Sequence, residues 1–396
     1  MIVRARWVLP IDRAPIDNGW IEVRDQRIVG IGSGKAPGEA DDLGDVALMP
    51  GLVNAHTHLE LSWMAGLVPP AESMDAWIRT LLRVRREGAP GGESAVIESM
   101  ARAAVAMRAA GTALVGDISN TLLSPPVLAE AGLDGVVFHE LLGFNVASPA
   151  SMVQQARARL SDVRVSGDVR LSVVAHAPYS VSPALFGEIA KAAGEPPLSV
   201  HLAESSEEIE FLRTGKGPIR SMLEAIGVWT GEWTAPNCGP VEYLSRVGYL
   251  RQGTLVVHGV HLTDDGLDQL RNAGAVLVTC PRSNEWVGAG PPRLSHFYSS
   301  GVPIAIGTDS LASAASLSLF DEMAEMRRIA PEVSAGAILD SATRQGATAL
   351  GFGADYGTLA PGKRAAIVAV DVPASSRDVE EYLVGGVPAG GIRRVA

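Results

Sequence analysis

The sequence predicts an α/β fold: a (β/α)8 TIM-type barrel with a small β-sandwich formed by both chain termini. Three observations predict it. Eight short, continuously apolar segments recur between residues 46 and 310. Helical stretches separate them. Turn-rich, alternating β segments stand outside the eight, at both ends of the chain. Continuous apolar strands belong to parallel sheets buried on both faces. Strands that alternate with helices build βαβ units, and eight of them close a barrel. A doubly wound open sheet is the competing arrangement.

Residues 1–50 read as the first part of the sandwich. "WIEVRDQRIVGIG" alternates, with a hairpin turn at Asp25-Gln26-Arg27. The barrel is expected over 51–354. Its strands are "VALMPGLVNAHTH" (46–58), "TALVGDIS" (112–119), "DGVVFHELLG" (134–143), "VRLSVVAHAPY" (169–179), "PLSVHLAE" (197–204), "GTLVVHGVHLT" (253–263), "AGAVLVTCPRSN" (273–284) and "VPIAIGTDS" (302–310). The longest insertion, 59–111, follows the first strand. Its early part, "WMAGLVPPAESMDAWI", reads as an aromatic loop over the strand ends, placed to act as a substrate lid. "ESAVIESMARAAVAMRAAG" (93–111) has helical spacing and a glycine stop. "TDDGLDQLRNAG" (263–274) opens on a capping threonine and closes on glycine. Residues 355–396, with "GTLAPGKRAAIVAVDV", supply the second part of the sandwich.

Composition narrows the function. Hydrophobic residues make up 47% of 396, which suits a globular chain with a large core. The net charge is −11 and there is no basic run, which argues against a nucleic-acid partner. Two cysteines, Cys238 and Cys280, make no disulfide framework. No apolar segment reaches membrane-spanning length, and "MIVRARWVLPIDRAP" lacks a signal-peptide core. A cytoplasmic location with no membrane partner is the expectation.

Polar residues recur at one end of the strands. His56 and His58 close the first, His176 the fourth, His201 the fifth, His258 the sixth and Asp309 the eighth. In a barrel these ends converge on the catalytic face. Residues two apart on a strand point the same way, so His56 and His58 aim into the mouth together. Two imidazoles, a third histidine and a carboxylate make a metal site with room for water.

These residues carry a resemblance. "PGLVNAHTHLELS", "HAPYS", "VHLAES", "VHGVHLT", "CPRSN" and "GTDS" stand in order over residues 50 to about 310. They resemble the amidohydrolase superfamily, in its cytosine deaminase and chlorohydrolase branch. "GTLAPGKRAAIVAVD" is similar to that family's closing strand, although Ala366 stands where relatives usually carry aspartate. The resemblance implies His56, His58, His201 and Asp309 as ligands of one divalent metal, zinc ahead of iron. Binuclear relatives bridge two metals through a lysine on the fourth strand. This chain has no lysine between Lys35 and Lys191, which points to a single ion.

Roles follow. Such a metal lowers the pKa of a water. Glu204, three residues after His201, is expected to shuttle a proton from that water to a ring nitrogen of the substrate. Asp309 touches the metal and holds the nucleophile's other proton, and His258 polarises the group under attack. His176 is implied to contact substrate. Glu60 continues the two-residue period of the histidines, so it is expected to face the mouth as a substrate ligand. Glu140 is the choice over His139 at the third strand end. Arg282 in "CPRSN" is a potential partner for a substrate carboxylate, and Asn284 supports the substrate-binding region by hydrogen bonds. Trp77 and Trp63 suit stacking on a flat ring, though such aromatics are more often core. Glu207 and Glu208 read as ordinary first-turn acids of a helix. His261 reads as structural, His296 as a surface residue and Cys280 as packing.

The branch acts on flat nitrogen heterocycles. The expected reaction turns an amino-substituted, purine-like ring into its oxo form with release of ammonia. The motifs are most similar to aminodeoxyfutalosine deaminases, whose substrate is an adenine nucleoside with a carboxyphenyl tail. Two enzyme alternatives are a chlorohydrolase and a guanine- or pterin-type deaminase. A catalytically dead binding or scaffold protein is the non-enzyme alternative. The partner is a small heterocycle, and the resemblance implies a homo-oligomer.

Overall fold

The computed structural model describes residues 1–194 and 197–395. Eight parallel strands hold the site. They are β1 (Leu52–Thr57), β2 (Thr112–Ser119), β3 (Asp134–Leu141), β4 (Val169–Ala175), β5 (Ser199–Leu202), β6 (Leu255–His258), β7 (Val276–Thr279) and β8 (Ile304–Ile306). All eight fall within the apolar runs read from the sequence. Most of their residues are buried on both faces, as continuous apolar strands require. β1 to β4 form one parallel four-stranded sheet and β5 to β8 another.

The two sheets are joined at both edges. Past the end of β4, the His201 amide donates to the His176 carbonyl at 2.8 Å. At the other edge the amides of Thr308 and Asp309 donate to the His56 carbonyl at 3.0 and 3.1 Å. Asn54 Nδ2 donates to Thr308 Oγ1 at 2.7 Å, and Thr57 Oγ1 donates to the Asp309 carbonyl at 2.7 Å. Gly307 permits this approach. A Cβ there would sit 2.7 Å from both His56 Cβ and its carbonyl oxygen.

The chain ends share one mixed seven-stranded sheet. Its order is 392–394, 367–371, 46–50, 2–8, 16–24 and 27–33, with 41–42 paired to 2–8. Joint use of both termini matches expectation, but the strands pair as a single sheet and not as two separate layers. The reason is Val46–Pro50, which pairs parallel with 2–8 and antiparallel with 367–371, so it joins the two halves directly. The run 46–58, read as one strand, is therefore two. Gly51 separates Val46–Pro50 from β1: a Cβ on Gly51 would fall 2.4 Å from that of Ala113. The hairpin turn is centred on Asp25 and Gln26, both with positive φ.

The 59–111 insertion is mostly helix. A 3-10 turn (Leu59–Met64) leads to α1 (Met74–Glu87) and α2 (Gly92–Ala109). Ser73 caps α1, its Oγ accepting from the Ala76 amide. The helix read at 263–274 is present as Asp264–Ala273, capped by Thr263 and stopped by Gly274.

Candidate active site

The C-terminal ends of the strands open into a cavity of about 430 Å³. Its floor carries His58, His176, His201, Glu204, His258 and Asp309. Residues from five strand ends therefore meet, across some 250 positions of sequence. His58 Nε2 lies 3.3 Å from His201 Nε2 and 3.4 Å from Asp309 Oδ1. His56 Nε2 lies 3.8 Å from Asp309 Oδ1. His56, His58 and Asp309 each place a ligand atom within 4.8 Å of the others, and so do His56, His201 and His258.

The donor set here suits a cation. His56 is 1% exposed, and neither of its ring nitrogens has a hydrogen-bond partner. Burial, then the neighbouring histidines, hold its pKa well below the usual imidazole value. His201 is lowered in the same way. Burial brings His258 down to about 4 and His176 to about 3. Burial thus favours the neutral form of His56, His176, His201 and His258, and neutral imidazoles beside a carboxylate are a donor set that suits a divalent cation. Burial pushes the Asp309 carboxyl up, but His58, His258 and a bond from Ser283 outweigh it and leave the group below its ordinary value.

Backbone strain holds this arrangement. Ala203, His258 and Asp309 all adopt left-handed φ, at 52°, 74° and 57°. Non-glycine residues avoid that region, at a cost of about 1–3 kcal/mol each, and such residues gather at functional sites. Each of the three lies at or just past a strand end and turns the chain sharply out of the sheet.

Around the floor, the proton-handling groups are ordered. Glu204 Oε1 is 3.5 Å from His258 Nε2. Burial, then Asp309 and Glu208, push the Glu204 carboxyl well above its usual range, which suits a group that takes and returns a proton. His258 Nδ1 is 3.0 Å from Asn284 Oδ1. Ser283 Oγ and Ser313 Oγ donate to Asp309 Oδ2 at 2.5 and 2.9 Å, leaving Oδ1 for the histidines.

The structure sorts the remaining sequence candidates. His176 lines the cavity and its Nδ1 meets Ser180 Oγ at 2.5 Å. Glu140 lines it too, while His139 turns away to the Ser119 carbonyl. Trp77 lines the cavity and also packs with Leu61, Met64 and Val84. Trp63 packs in the same cluster and is not among the cavity residues. His261 is half-buried, His296 exposed and Cys280 buried in the core, as read.

Three expectations need correction. Glu60 does line the cavity, but not by strand alternation: β1 ends at Thr57 and Glu60 sits in the 3-10 turn. Its carboxylate accepts from the amides of Asn120 and Thr121, at 3.0 and 3.1 Å, and from Thr121 Oγ1 at 2.8 Å. That bonding makes it the anchor of the loop after β2. Arg282 lies outside the cavity. "CPRSN" leaves the strand and enters a helix at Pro281, so the guanidinium points to Ser316, Asp321 and Glu322. Asn284, in the same helix, lies outside the cavity lining and so is not placed as a substrate contact, while the support by hydrogen bonds expected of it is present in its bond to His258.

Further cavity residues escaped the sequence reading. Met74, Ile78, Leu81, Leu82 and Arg85 of α1 line the cavity beside Trp77, at helical spacing. Arg85 is the one lysine or arginine in the lining among the described residues. It donates to Asn120 Oδ1 at 3.0 Å and lies 3.8 Å from Glu60. The 3.6-residue period of "MDAWIRTLLRVRRE" was the signal that marked both the helix and its inner face. Glu208 stands in the first turn of its helix, as read, but it is 1% exposed.

Comparison with known proteins agrees with this geometry. The amidohydrolase family model matches residues 47–395. Aminodeoxyfutalosine deaminase of Deinococcus radiodurans is 30% identical over 334 residues, covering 80% of this chain and 76% of that protein. A 5-methylthioadenosine/S-adenosylhomocysteine deaminase of Nitratidesulfovibrio vulgaris is 29% identical, covering 94% of this chain and 84% of that protein. Among solved structures, Helicobacter pylori aminofutalosine deaminase in complex with methylthio-coformycin superposes with a TM-score of 0.85. It shares 24% identity, with all of both chains covered. An adenosine deaminase from Xanthomonas campestris with bound zinc gives a TM-score of 0.82 at 24% identity, covering 99% and 90%. With its site geometry and its matched relatives taken together, the chain is a hydrolytic enzyme of the aminohydrolase type and belongs to the amidohydrolase family.

Proposed function

We propose that this protein is a hydrolytic deaminase of an adenine nucleoside and that its two parallel sheets act as one closed (β/α)8 barrel. The observation that carries the reading is the buried, unpartnered His56 beside His58, His201 and Asp309, with Glu204 next to them. His56, His58, His201 and Asp309 would hold one divalent cation, zinc ahead of iron, as nitrogen and carboxylate donors suit. When bound, the cation supplies Lewis acidity and makes a nearby water more acidic. Glu204 takes a proton from the attacking water and delivers it to a ring nitrogen. Oxygen bonds to the ring carbon that bears the amine, the water's second proton, held by Asp309, passes to that amine, the carbon's bond to the amine nitrogen breaks, and ammonia leaves with the oxo ring behind. His258, held by Asn284, stands beside Glu204 to polarise the group under attack. His176 contacts the substrate from the β4 end.

The cavity wall favours a particular nucleoside. Ile78, Leu81, Leu82, Phe144, Leu223 and Val228 give the lining a large apolar share, and Arg85 is its one guanidinium among the described residues. An apolar tail that ends in a carboxylate fits both, so aminodeoxyfutalosine is the leading substrate. Arg85 takes over the carboxylate-pairing role first read at Arg282. Ammonia release from amino-6-deoxyfutalosine, methylthioadenosine, S-adenosylhomocysteine and adenosine tests this with zinc-loaded protein. The highest kcat/KM is expected for the first. Turnover of another without the first would overturn the substrate, and ammonia from none of the four would overturn the deaminase.

A further inference from the structure

The loop that carries Glu204 is held by a second acid. The helix Ser206–Thr214 is capped by Ser205, whose Oγ accepts from the Glu208 amide at 3.3 Å. "Ser-x-x-Glu" is a capping-box sequence, in which the glutamate ordinarily returns to the amide of the capping residue. Here it reaches past Ser205. Glu208 Oε1 accepts from the Ala203 amide at 3.0 Å, and Oε2 accepts from the Glu204 amide at 3.2 Å. These are the two residues that leave β5, and Ala203 carries the left-handed φ of 52°. The other side of the turn is fixed as well. The Ala203 carbonyl accepts from the His261 amide at 2.9 Å, and the Leu202 carbonyl accepts from Gly259 at 3.0 Å. A strained residue is thus gripped from two directions. A carboxylate that is 1% exposed is spent on that grip and not on substrate.

We infer that Glu208 is a positioning residue: its carboxylate clamps two consecutive amides and so fixes the direction in which Glu204 enters the cavity. This deepens the deaminase reading and rests on the role given there to Glu204. Isolated buried carboxylates are costly, and two good amide donors offset the cost. Removing the side chain frees both amides and lets Ala203 relax. A misplacement of the proton-transfer group by about 1 Å lowers turnover by about 100-fold in favourable cases. Glutamine keeps one acceptor but turns its NH2 toward an N–H, so it should restore only part of the function.

The test uses the zinc-loaded full chain with Glu208→Ala and Glu208→Gln, each alone and with Glu204→Gln. We expect E208A to lower kcat by about 10- to 100-fold, with KM within about threefold and zinc content unchanged. E208Q should fall between E208A and the wild type. In the E204Q background neither change should lower kcat further, because Glu208 acts through Glu204. An equal further loss in that background, or a loss of zinc, would overturn the proposal. A second readout needs no substrate. Hydrogen exchange of the amides at 203 and 204 should speed up by at least about tenfold in E208A, with the rest of the chain unchanged. Unchanged exchange there would overturn the clamp even if activity fell. Faster exchange with no ammonia from any wild-type assay would instead sink the deaminase reading and leave the clamp standing.

Discussion

Ser283→Ala should weaken metal binding more at low pH than at neutral pH. The structure supplies the argument. Ser283 Oγ donates to Asp309 Oδ2 at 2.5 Å and Ser313 Oγ at 2.9 Å, while Oδ1 faces His58 and His56 at 3.4 and 3.8 Å. A hydrogen bond to a charged group is worth about 1.5–3 kcal/mol. At about 1.4 kcal/mol per tenfold, loss of one such bond predicts a zinc dissociation constant about 10- to 100-fold higher, the range usual for partners of metal ligands. The sign of the pH effect follows from Asp309. Burial alone would raise its pKa, and His58, His258 and the Ser283 bond bring it below the ordinary value. A carboxyl depressed in this way is fully ionised above its usual pKa and loses its advantage as pH falls toward the folded value. Without Ser283 the pKa rises and protons compete earlier for the same oxygen. Zinc affinity should be measured against a chromophoric chelator at pH 7.5, 6.5 and 5.5. The deficit of Ser283→Ala should be steady between pH 7.5 and 6.5 and widen at 5.5, the value nearest the carboxylate range. Ser313→Ala should cost less, since its contact is longer. The double variant should cost more than the sum, because each serine covers part of the other's loss on one shared oxygen. Wild-type affinity for Ser283→Ala at all three values would refute the argument.

Further outcomes are expected. His58→Ala should lose zinc and ammonia release together, which metal analysis of the purified variant and a coupled ammonia assay will show. Glu60→Gln should keep its zinc but lower thermal stability, because a carboxylate that accepts from Asn120 and Thr121 is replaced; about 1–3 kcal/mol is expected in denaturant titration. Arg85→Gln should lower the ratio of kcat/KM for amino-6-deoxyfutalosine to that for methylthioadenosine by at least about tenfold, the lower end for a charged hydrogen bond; an unchanged ratio would remove Arg85 from tail recognition. Asp117 is fully buried, accepts from the Leu59 amide at 2.8 Å, and is pushed up to about 7 by burial. A carboxyl with a raised folded pKa contributes stability below its unfolded pKa and loses it as pH rises to the folded one. The wild type should therefore lose stability between about pH 4 and 7, at no more than about 1.4 kcal/mol per pH unit from this group. Asp117→Asn should flatten that slope in urea unfolding.

The strand ends were legible because their signal is local. His56 and His58 share a face by the two-residue period, and His201, His258 and Asp309 each close an apolar run. Glu60 misled because the period was carried past the point where the strand stops. Nothing in "HLELS" marks that stop, which is set by how the 3-10 turn packs behind β2. Arg282 misled for a similar reason: Pro281 fits a first helical turn, and the helix turns residue 282 away from the cavity. Arg85 was readable in principle, since the inner face of α1 repeats every three or four residues, but the loop reading of 63–78 cuts off the first turn of that helix and hides its period. Glu208 could not be assigned from spacing alone, because a capping-box glutamate usually ends one residue nearer. Pairing of residues 46–50 with 367–371 lies across more than 300 positions and leaves no periodic trace.

The contact between the first and last parallel strands also sets a schedule. His56 and His58 leave the ribosome some 250 residues before Asp309, and the Thr57 hydroxyl meets the Asp309 carbonyl across 252 positions. Loop closure over such a span is slow, and chains rich in distant contacts fold slowly. The histidine pair must therefore wait through most of synthesis without its carboxylate. On the proposed ligand set, tight ion capture would become possible only after β8 has docked on β1 through Gly307. Acquisition of the ion would then be the closing event of maturation, and time-resolved zinc uptake during refolding would report the moment at which the molecule becomes whole.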